Sequence, residues 1–382
     1  MATTANSVLE KISAPISVFL NITQECNMRC VYCSAEVTRP NSRKDIELSD
    51  EQYLDLVDQL VEAKVFKYVI TGGEPLLRRR LVFQILDRIG RSAEVQFNSN
   101  ATMINDRVAK RLAAFPGILN MVVSIDAPVE EINAITRGKG FLRKTMKGVR
   151  NLQKQGIDPK INCVLTRHNY RYIPQMVEFL KANGLRRLGI LHFQPLGYGI
   201  PKASQLQLPI RERLEFNKMI RGLTEREKEV SISDQDESNW FEHENCYQQC
   251  VSHGLEKFTG RPNILPCSAG LDQANILSDG GVTPCNFFFH YRCGNVREQS
   301  FLDIWRNSPE FQRVRALRRT PNTVIEKCGG CRYNIFCQGG CRAIGHALTG
   351  SLTGHDGSCP HYQRRMSFQR PQSDGVHLPV IN

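Results

Sequence analysis

The chain has 382 residues, with 50 Lys and Arg against 38 Asp and Glu, a formal charge of +12, and 41% hydrophobic residues. That length suggests two or three domains, and the apolar fraction is far above the disordered range. No run approaches the roughly 18 apolar residues of a membrane span. The first ten residues lack a basic segment leading into an apolar one, so the reading is a soluble, unexported, cytoplasmic protein with no membrane partner.

In chain order, residues 14–195 alternate short β-type runs with amphipathic stretches. The strand candidates are Ile16–Ile22, Lys67–Thr71, Glu94–Asn98, Asn120–Ile125, Lys160–Leu165 and Leu188–Phe193. Between them the helix candidates are Asp50–Glu62, Leu81–Ile89, Asp106–Phe115, Phe141–Gln155 and Tyr172–Asn183. Ser49 is placed to cap the first, and Gly156 and Gly184 stand where the last two should stop. Six such units predict an α/β fold, a partial (β/α)6 TIM-type barrel, since a full eight-fold barrel needs about 250 residues. After Pro195 the rhythm breaks: one more helix over Leu208–Leu223, then a polar stretch, Thr224–Asn245, with few apolar anchors. From Cys267 the chain turns rich in Cys, Gly and short turns, with one helix around Ser300–Arg318 and a terminal strap from Ser367. The expected division is 1–13 extension, 14–195 barrel, 196–266 bridging region, 267–366 cysteine-rich domain and 367–382 tail.

The 14 cysteines are clustered: three lie between Cys26 and Cys33, and ten of the rest lie after residue 245. In an unexported chain such clusters point to metal or catalysis rather than disulfides. Cys26-x3-Cys30-x2-Cys33 directly follows the first strand, the place where barrel enzymes carry their chemistry. Three thiolates leave a [4Fe–4S] cluster with one iron open to a ligand; the competing reading is structural zinc with a fourth ligand elsewhere. After the second strand, Gly72-Gly73-Glu74-Pro75 offers a close backbone approach, and Glu74 an acceptor for an ammonium.

These motifs resemble the radical S-adenosylmethionine (SAM) superfamily. The resemblance implies that Cys26, Cys30 and Cys33 hold a cluster whose open iron chelates SAM, which is reductively cleaved to a 5′-deoxyadenosyl radical. It places Tyr32 near adenine, Gly72, Gly73 and Glu74 at the SAM amino group, and Asn98-Ser99-Asn100 near the ribose. Ser124 and Asp126 match an S-x-D-G segment in which Ala127 replaces glycine, and Arg137 would pair the SAM carboxylate.

The later array, Cys267, Cys285, Cys328-x2-Cys331-x5-Cys337-x3-Cys341 and Cys359, resembles the SPASM extension of that superfamily. Asp279–Cys285, the Cys293-Gly294-Asn295 step and the Trp305 helix fit the same pattern. The resemblance implies two auxiliary [4Fe–4S] clusters, three in all: Cys267, Cys285 and Cys341 on the first auxiliary cluster, and Cys328, Cys331, Cys337 and Cys359 on the second. Cys246 or Cys250 is a candidate fourth ligand for the first, while Cys163 and Cys293 read as core. Structural zinc ribbons are the alternative for the array.

The expected function is hydrogen abstraction from a ribosomally made precursor peptide, installing a crosslink, thioether, epimerised centre or backbone excision. The alternatives are oxidation or decarboxylation of a small molecule or tetrapyrrole, and, more remotely, a zinc-ribbon nucleic-acid binder. That last class explains the charge but not the SAM-type turns, and the interleaved aromatics of a single-strand binder are missing. The expected partners are the precursor peptide, a separate peptide-recognition protein in trans, and a flavodoxin or ferredoxin-type reductant. The positive charge suits an acidic leader; Arg78-Arg79-Arg80 and the Arg313, Arg315, Arg318 and Arg319 group are candidate patches, and a solvated basic surface explains them equally well. The sequence names no general acid or base; His192 and Gln194, at the end of the sixth strand, are weighed as substrate-facing against structural roles.

Overall fold

The computed structural model describes residues 12–42, 46–115, 119–235, 252, 267–317, 322–331, 333 and 339–359. Cys246, Cys250 and Cys337 lie outside these residues, as do Arg318 and Arg319.

The six expected strands form: β1 (Ser17–Asn21), β2 (Lys67–Thr71), β3 (Glu94–Ser99), β4 (Leu119–Ser124), β5 (Lys160–Leu165) and β6 (Arg187–His192). They pair in parallel, each with the next, and helices cross between them. The crossings carry α1 (Asp50–Glu62), α2 (Arg79–Ile89), α3 (Asp106–Leu112), α4 (Glu130–Arg137), α5 (Phe141–Lys154) and α6 (Ile173–Ala182). Ser49 caps α1 in a full capping box with Gln52.

Parallel pairing sends alternate residues to opposite faces. Val18, Leu20, Tyr68, Ile70, Val95, Phe97, Ile161, Cys163, Leu188 and Ile190 all point to the helices and join one apolar core. The other face, the barrel lumen, is far more polar: Asn21, Gln96, Asn98, Ser124, Lys160 and Asn162 lie on it by register. Core formation thus comes from one strand face, and the opposite face is left for chemistry. Burying each large aliphatic side chain on the helix side contributes about 1.5–3 kcal/mol.

Two features extend the fold beyond the expected six units. Helix α7 (Ile210–Arg226) leads into a seventh parallel strand, β7 (Ser231–Gln235), paired to β6. The stretch read from the sequence as polar with few apolar anchors thus contains this strand. Among the described residues β7 is an edge strand; Ser231 and Ser233 share one face, and Ile232 is its one apolar residue. At the other end, β8 (Gln273–Ile276) pairs in parallel with β1, and β9 (Gly281–Thr283) and β10 (Gly294–Asn295) follow antiparallel. Among the described residues this gives one open ten-stranded sheet, β10-β9-β8-β1-β2-β3-β4-β5-β6-β7. The cysteine-rich region therefore continues the barrel sheet.

The single helix expected around Ser300–Arg318 is two, α8 (Phe301–Asn307) and α9 (Pro309–Ala316). Ser308 breaks them, ending the first and capping the second through Phe311 N, with Pro309 at the new first turn. Trp305 is enclosed between them and Phe311 and donates its indole N–H to Ile12 O. A last helix, α10 (Arg342–Thr349), starts directly after Cys341. No helix among the described residues is long and apolar enough to cross a membrane.

Candidate active site

The loop after β1 carries Cys26, Cys30 and Cys33, and the chain fixes it from below. Cys26 N donates to Thr38 O (3.0 Å), Thr38 N to Gln24 O (2.9 Å), and Cys33 N to Cys30 O (3.2 Å). Glu47 Oε1 accepts from Thr23 Oγ1 (2.9 Å) and Gln24 N (2.7 Å). The three thiols share one small cluster with Met28, Ala35, Val37 and Phe141, and Phe289 of the cysteine-rich region packs there too. Burial pushes the Cys26 thiol up to about 12 and the Cys30 thiol up to about 11, the latter against the pull of the Arg137 guanidinium.

Gly72 and Gly73 lie directly on this loop. A Cβ on Gly72 would stand 2.4 Å from Thr23 O, and one on Gly73 2.0 Å from Glu25 O. Two backbone bonds close the seam, Gly73 N to Thr23 O (2.6 Å) and Glu74 N to Glu25 O (2.9 Å). The glycines are thus required for strand-to-loop contact as well as for any ligand approach.

Glu74 departs from expectation. Its side chain is fully buried, and its carboxylate accepts from Ser99 Oγ (2.9 and 3.1 Å), Asn100 N (2.9 Å) and Leu76 N (3.2 Å). With its oxygens engaged inside the protein, it braces the end of β3 instead of facing an ammonium. Asn100 is likewise occupied: its Nδ2 donates to Asn27 Oδ1 (2.8 Å) and its Oδ1 accepts from Thr102 N (2.9 Å) and Thr102 Oγ1 (2.6 Å). Ser99 thus ties β3 to Glu74 in the turn after β2, and Asn100 ties it to the cysteine loop. Of the expected ribose-side trio, Asn98 faces the lumen, with its Oδ1 held by Gln96 Nε2 (3.0 Å).

A second network fixes the far side of the loop. Tyr32 OH donates to Asp126 Oδ2 (2.7 Å) and accepts from Arg137 (3.0 Å); Thr136 Oγ1 also donates to Asp126 Oδ2 (2.6 Å). Asp126 Oδ1 accepts from Val164 N (3.1 Å), and Val31 N donates to Thr136 O (3.0 Å). The structure brings Tyr32, Asp126 and Arg137 together, with Asp126 as an internal brace. Ser124, two residues earlier, stays on the lumen face opposite Asn162. Arg137, only 5% exposed, is held beside Met28 and Cys30. Cys163 is core, its thiol on Asp126 O (3.2 Å).

The described later cysteines fall in two places. Cys267, Cys285 and Cys341 meet in one cluster with Ala269, Phe288, Val314 and Ala343. Cys328 feels Cys359 and Cys331 at close range; burial first, then these neighbours, push its thiol up to about 11. The buried Asp356 joins the two groups: it accepts from Cys341 N (2.8 Å), Ser358 N (2.8 Å) and Ser358 Oγ (2.6 Å), while Cys359 N donates to its main-chain oxygen (3.0 Å). Cys293 is buried in the main core. His192 pairs with Asp234 Oδ1 (2.9 Å) against Phe216, and Gln194 Oε1 is enclosed without a hydrogen-bond partner among the described residues.

Among the described residues no three His, Cys, Asp or Glu side chains close to the spacing of a single metal ion. The test of fit for iron–sulfur clusters rests on donor chemistry. Each group supplies soft sulfur ligands in a partly buried, mostly apolar shell, which suits a cluster better than a hydrated hard ion.

The family described as the Radical SAM superfamily matches residues 20–180, and the SPASM iron–sulfur cluster-binding domain matches residues 267–332. Three relatives illustrate the range of similar proteins. An AdoMet-dependent heme synthase of Oleidesulfovibrio alaskensis is 28% identical, covering 90% of this chain and 87% of that protein. A PqqA peptide cyclase of Granulibacter bethesdensis is 27% identical (92% and 88%), and the mycofactocin maturase MftC of Mycobacterium tuberculosis 28% (95% and 89%). Among solved structures, Streptococcus suis SuiB superposes with a TM-score of 0.71 at 20% identity, covering 92% of this chain and 79% of that one. The chain thus carries a radical SAM domain followed by a SPASM domain.

Proposed function

We propose that the chain uses SAM to modify a ribosomally made precursor peptide. The observation that carries the radical part is the seam between the Cys26–Cys33 loop and Gly72-Gly73, where three thiols and a side-chain-free backbone share one end of the barrel. Cys26, Cys30 and Cys33 would hold the SAM-binding [4Fe–4S] cluster, which when bound supplies the electron that yields a 5′-deoxyadenosyl radical from SAM. The chain's own residues hold the geometry. Glu74, Ser99 and Asn100 fix the loop against β3; Asp126 and Tyr32 hold the Arg137 guanidinium, a fork suited to the SAM carboxylate. Asn98 and Ser124 face the lumen where the ribose would lie.

Cys267, Cys285 and Cys341 would hold a first auxiliary cluster, and Cys328, Cys331, Cys337 and Cys359 a second, making three. The peptide substrate is supported by the similarity to a PqqA peptide cyclase and a mycofactocin maturase over some nine-tenths of each sequence. A recognition protein in trans, a flavodoxin or ferredoxin-type reductant and a reducing, cytoplasmic setting complete the proposal. A second reading, a tetrapyrrole or other small-molecule substrate, is favoured by the equal similarity to a heme synthase.

Cys30→Ala and Cys331→Ala separate the roles. With dithionite and SAM, the first should abolish 5′-deoxyadenosine formation; the second should keep it and lose turnover of substrate. Cleavage that survives Cys30→Ala overturns the assignment. A short precursor-peptide gene beside a recognition-domain gene supports the peptide; tetrapyrrole genes there support the second reading.

A further inference from the structure

We propose that Lys160, Asn162 and Ser233 form a carboxylate-binding subsite in the barrel lumen, which holds an acidic group of the peptide substrate beside Ser124. This rests on the peptide-modifying reading of the same site and names the chemical handle by which the lumen grips its substrate.

Lys160 opens β5 on the lumen face, and its ammonium reaches across β6 to donate to Ser233 Oγ on β7 (2.9 Å). It can cross because the intervening lumen residue is Gly189. A Cβ there would stand 2.6 Å from Lys160 Cε, 3.1 Å from its Nζ and 2.3 Å from Asn162 Oδ1. The glycine therefore makes room for two polar side chains at one point.

Charge gives the ligand class. Among the described residues no carboxylate lies within ion-pair distance of Lys160, and the nearby cation, Arg187, has its own carboxylate in Asp158 (3.7 Å). A half-buried ammonium with only a hydroxyl partner is costly unless an anion joins it. Asn162 Oδ1 is enclosed with no hydrogen-bond partner. Turning that amide about its terminal torsion presents an N–H at the same point, so the group can donate to an incoming oxygen. The ammonium and the turned amide are two donors for a carboxylate, while Ser233 Oγ, itself donating to Leu188 O (3.5 Å), holds the ammonium in place.

Position gives the role. Asn162 is the register partner of Ser124 on β4, one strand spacing or about 5 Å away, and the Lys160 ammonium lies further out, between Gly189 on β6 and Ser233 on β7. A peptide whose carboxylate docks here would present the neighbouring C–H bonds to the cofactor end of the barrel.

The test is acylation of Lys160 in the anaerobically reconstituted full chain with SAM, by a pulse of sulfosuccinimidyl acetate read by mass spectrometry. The probes are acetyl-Ala-Ala-Ala with a free C-terminus, acetyl-Ala-Glu-Ala-amide and acetyl-Ala-Gln-Ala-amide. One of the acids should slow labelling about tenfold relative to the glutamine amide, the worth of one charge-assisted contact. Which acid protects tells a C-terminal from a side-chain carboxylate. Gly189→Ala should abolish protection by displacing the lysine, and Ser233→Ala, a milder change on an edge strand, should reduce it. Equal labelling with all three probes, or equal protection by the amide, overturns the proposal. Dithionite-driven 5′-deoxyadenosine formation is measured on the same sample: its absence overturns the radical reading, while the labelling result still decides the carboxylate site.

Discussion

Replacing Gly73 by Ala puts the central seam under direct load. The new Cβ would meet Glu25 O at 2.0 Å and its carbonyl carbon at 2.5 Å, whereas ordinary contact begins at 3.4 Å. The obstacle is backbone, so no side-chain rotation relieves it, and the cysteine loop must move away from β2 by about 1.4 Å. That movement breaks the bonds from Gly73 N to Thr23 O and from Glu74 N to Glu25 O. Two lost backbone bonds at about 1 kcal/mol each, with about 1–3 kcal/mol of overpacking, give a loss of about 3–5 kcal/mol. Melting of the apo protein should fall by about 5 °C, and iron retained after anaerobic reconstitution should fall as well, because the displaced segment runs straight into Cys26. Gly140→Ala is the control: that glycine, unlike Gly73, has a positive φ, but nothing lies within 4 Å of the added carbon, so its cost is backbone strain of about 1–2 kcal/mol alone. A Gly73→Ala protein that melts with the wild type and loads the same iron refutes the reasoning.

Three further changes probe other parts of the account. Tyr32→Phe removes the hydroxyl between Asp126 and Arg137 and should cost about 1–3 kcal/mol, with weaker SAM binding by calorimetry; unchanged affinity contradicts the role given to that network. Asp356→Ala strands the Cys341 and Ser358 amides, so iron content should drop while 5′-deoxyadenosine formation persists, a split that loss of both activities would contradict. Burial, then Arg187, lowers the Lys160 pKa below the ordinary lysine value of 10.5. The unfolded chain therefore holds more protons between the folded pKa and 10.5, and stability rises with pH through that window. Lys160→Met should flatten that rise in a melting-versus-pH series, and an identical slope counts against it.

The strands were legible where one face had to be apolar. Lys67–Thr71 and Lys160–Leu165 form over their expected lengths because their helix-side residues enter the core. β7 was hidden by its position: an edge strand with a polar lumen face has no alternation for the sequence to display. Helix α4 was missed because it buries Asn133, Thr136 and Arg137, polar residues whose partners come from β4 and the cysteine loop. The cysteines were legible because ligand spacing is local. The burial of Glu74 was not, since it depends on Ser99 and Asn100 arriving from β3, and Lys160 became notable only once its side chain was seen to cross over Gly189.

The central claim is tested most directly by one preparation of the reconstituted wild-type chain, analysed for metal and then mixed with dithionite and SAM. The account predicts iron and sulfide in [4Fe–4S] proportion and the appearance of 5′-deoxyadenosine. Zinc without iron, or bound SAM that yields no 5′-deoxyadenosine on reduction, would contradict it.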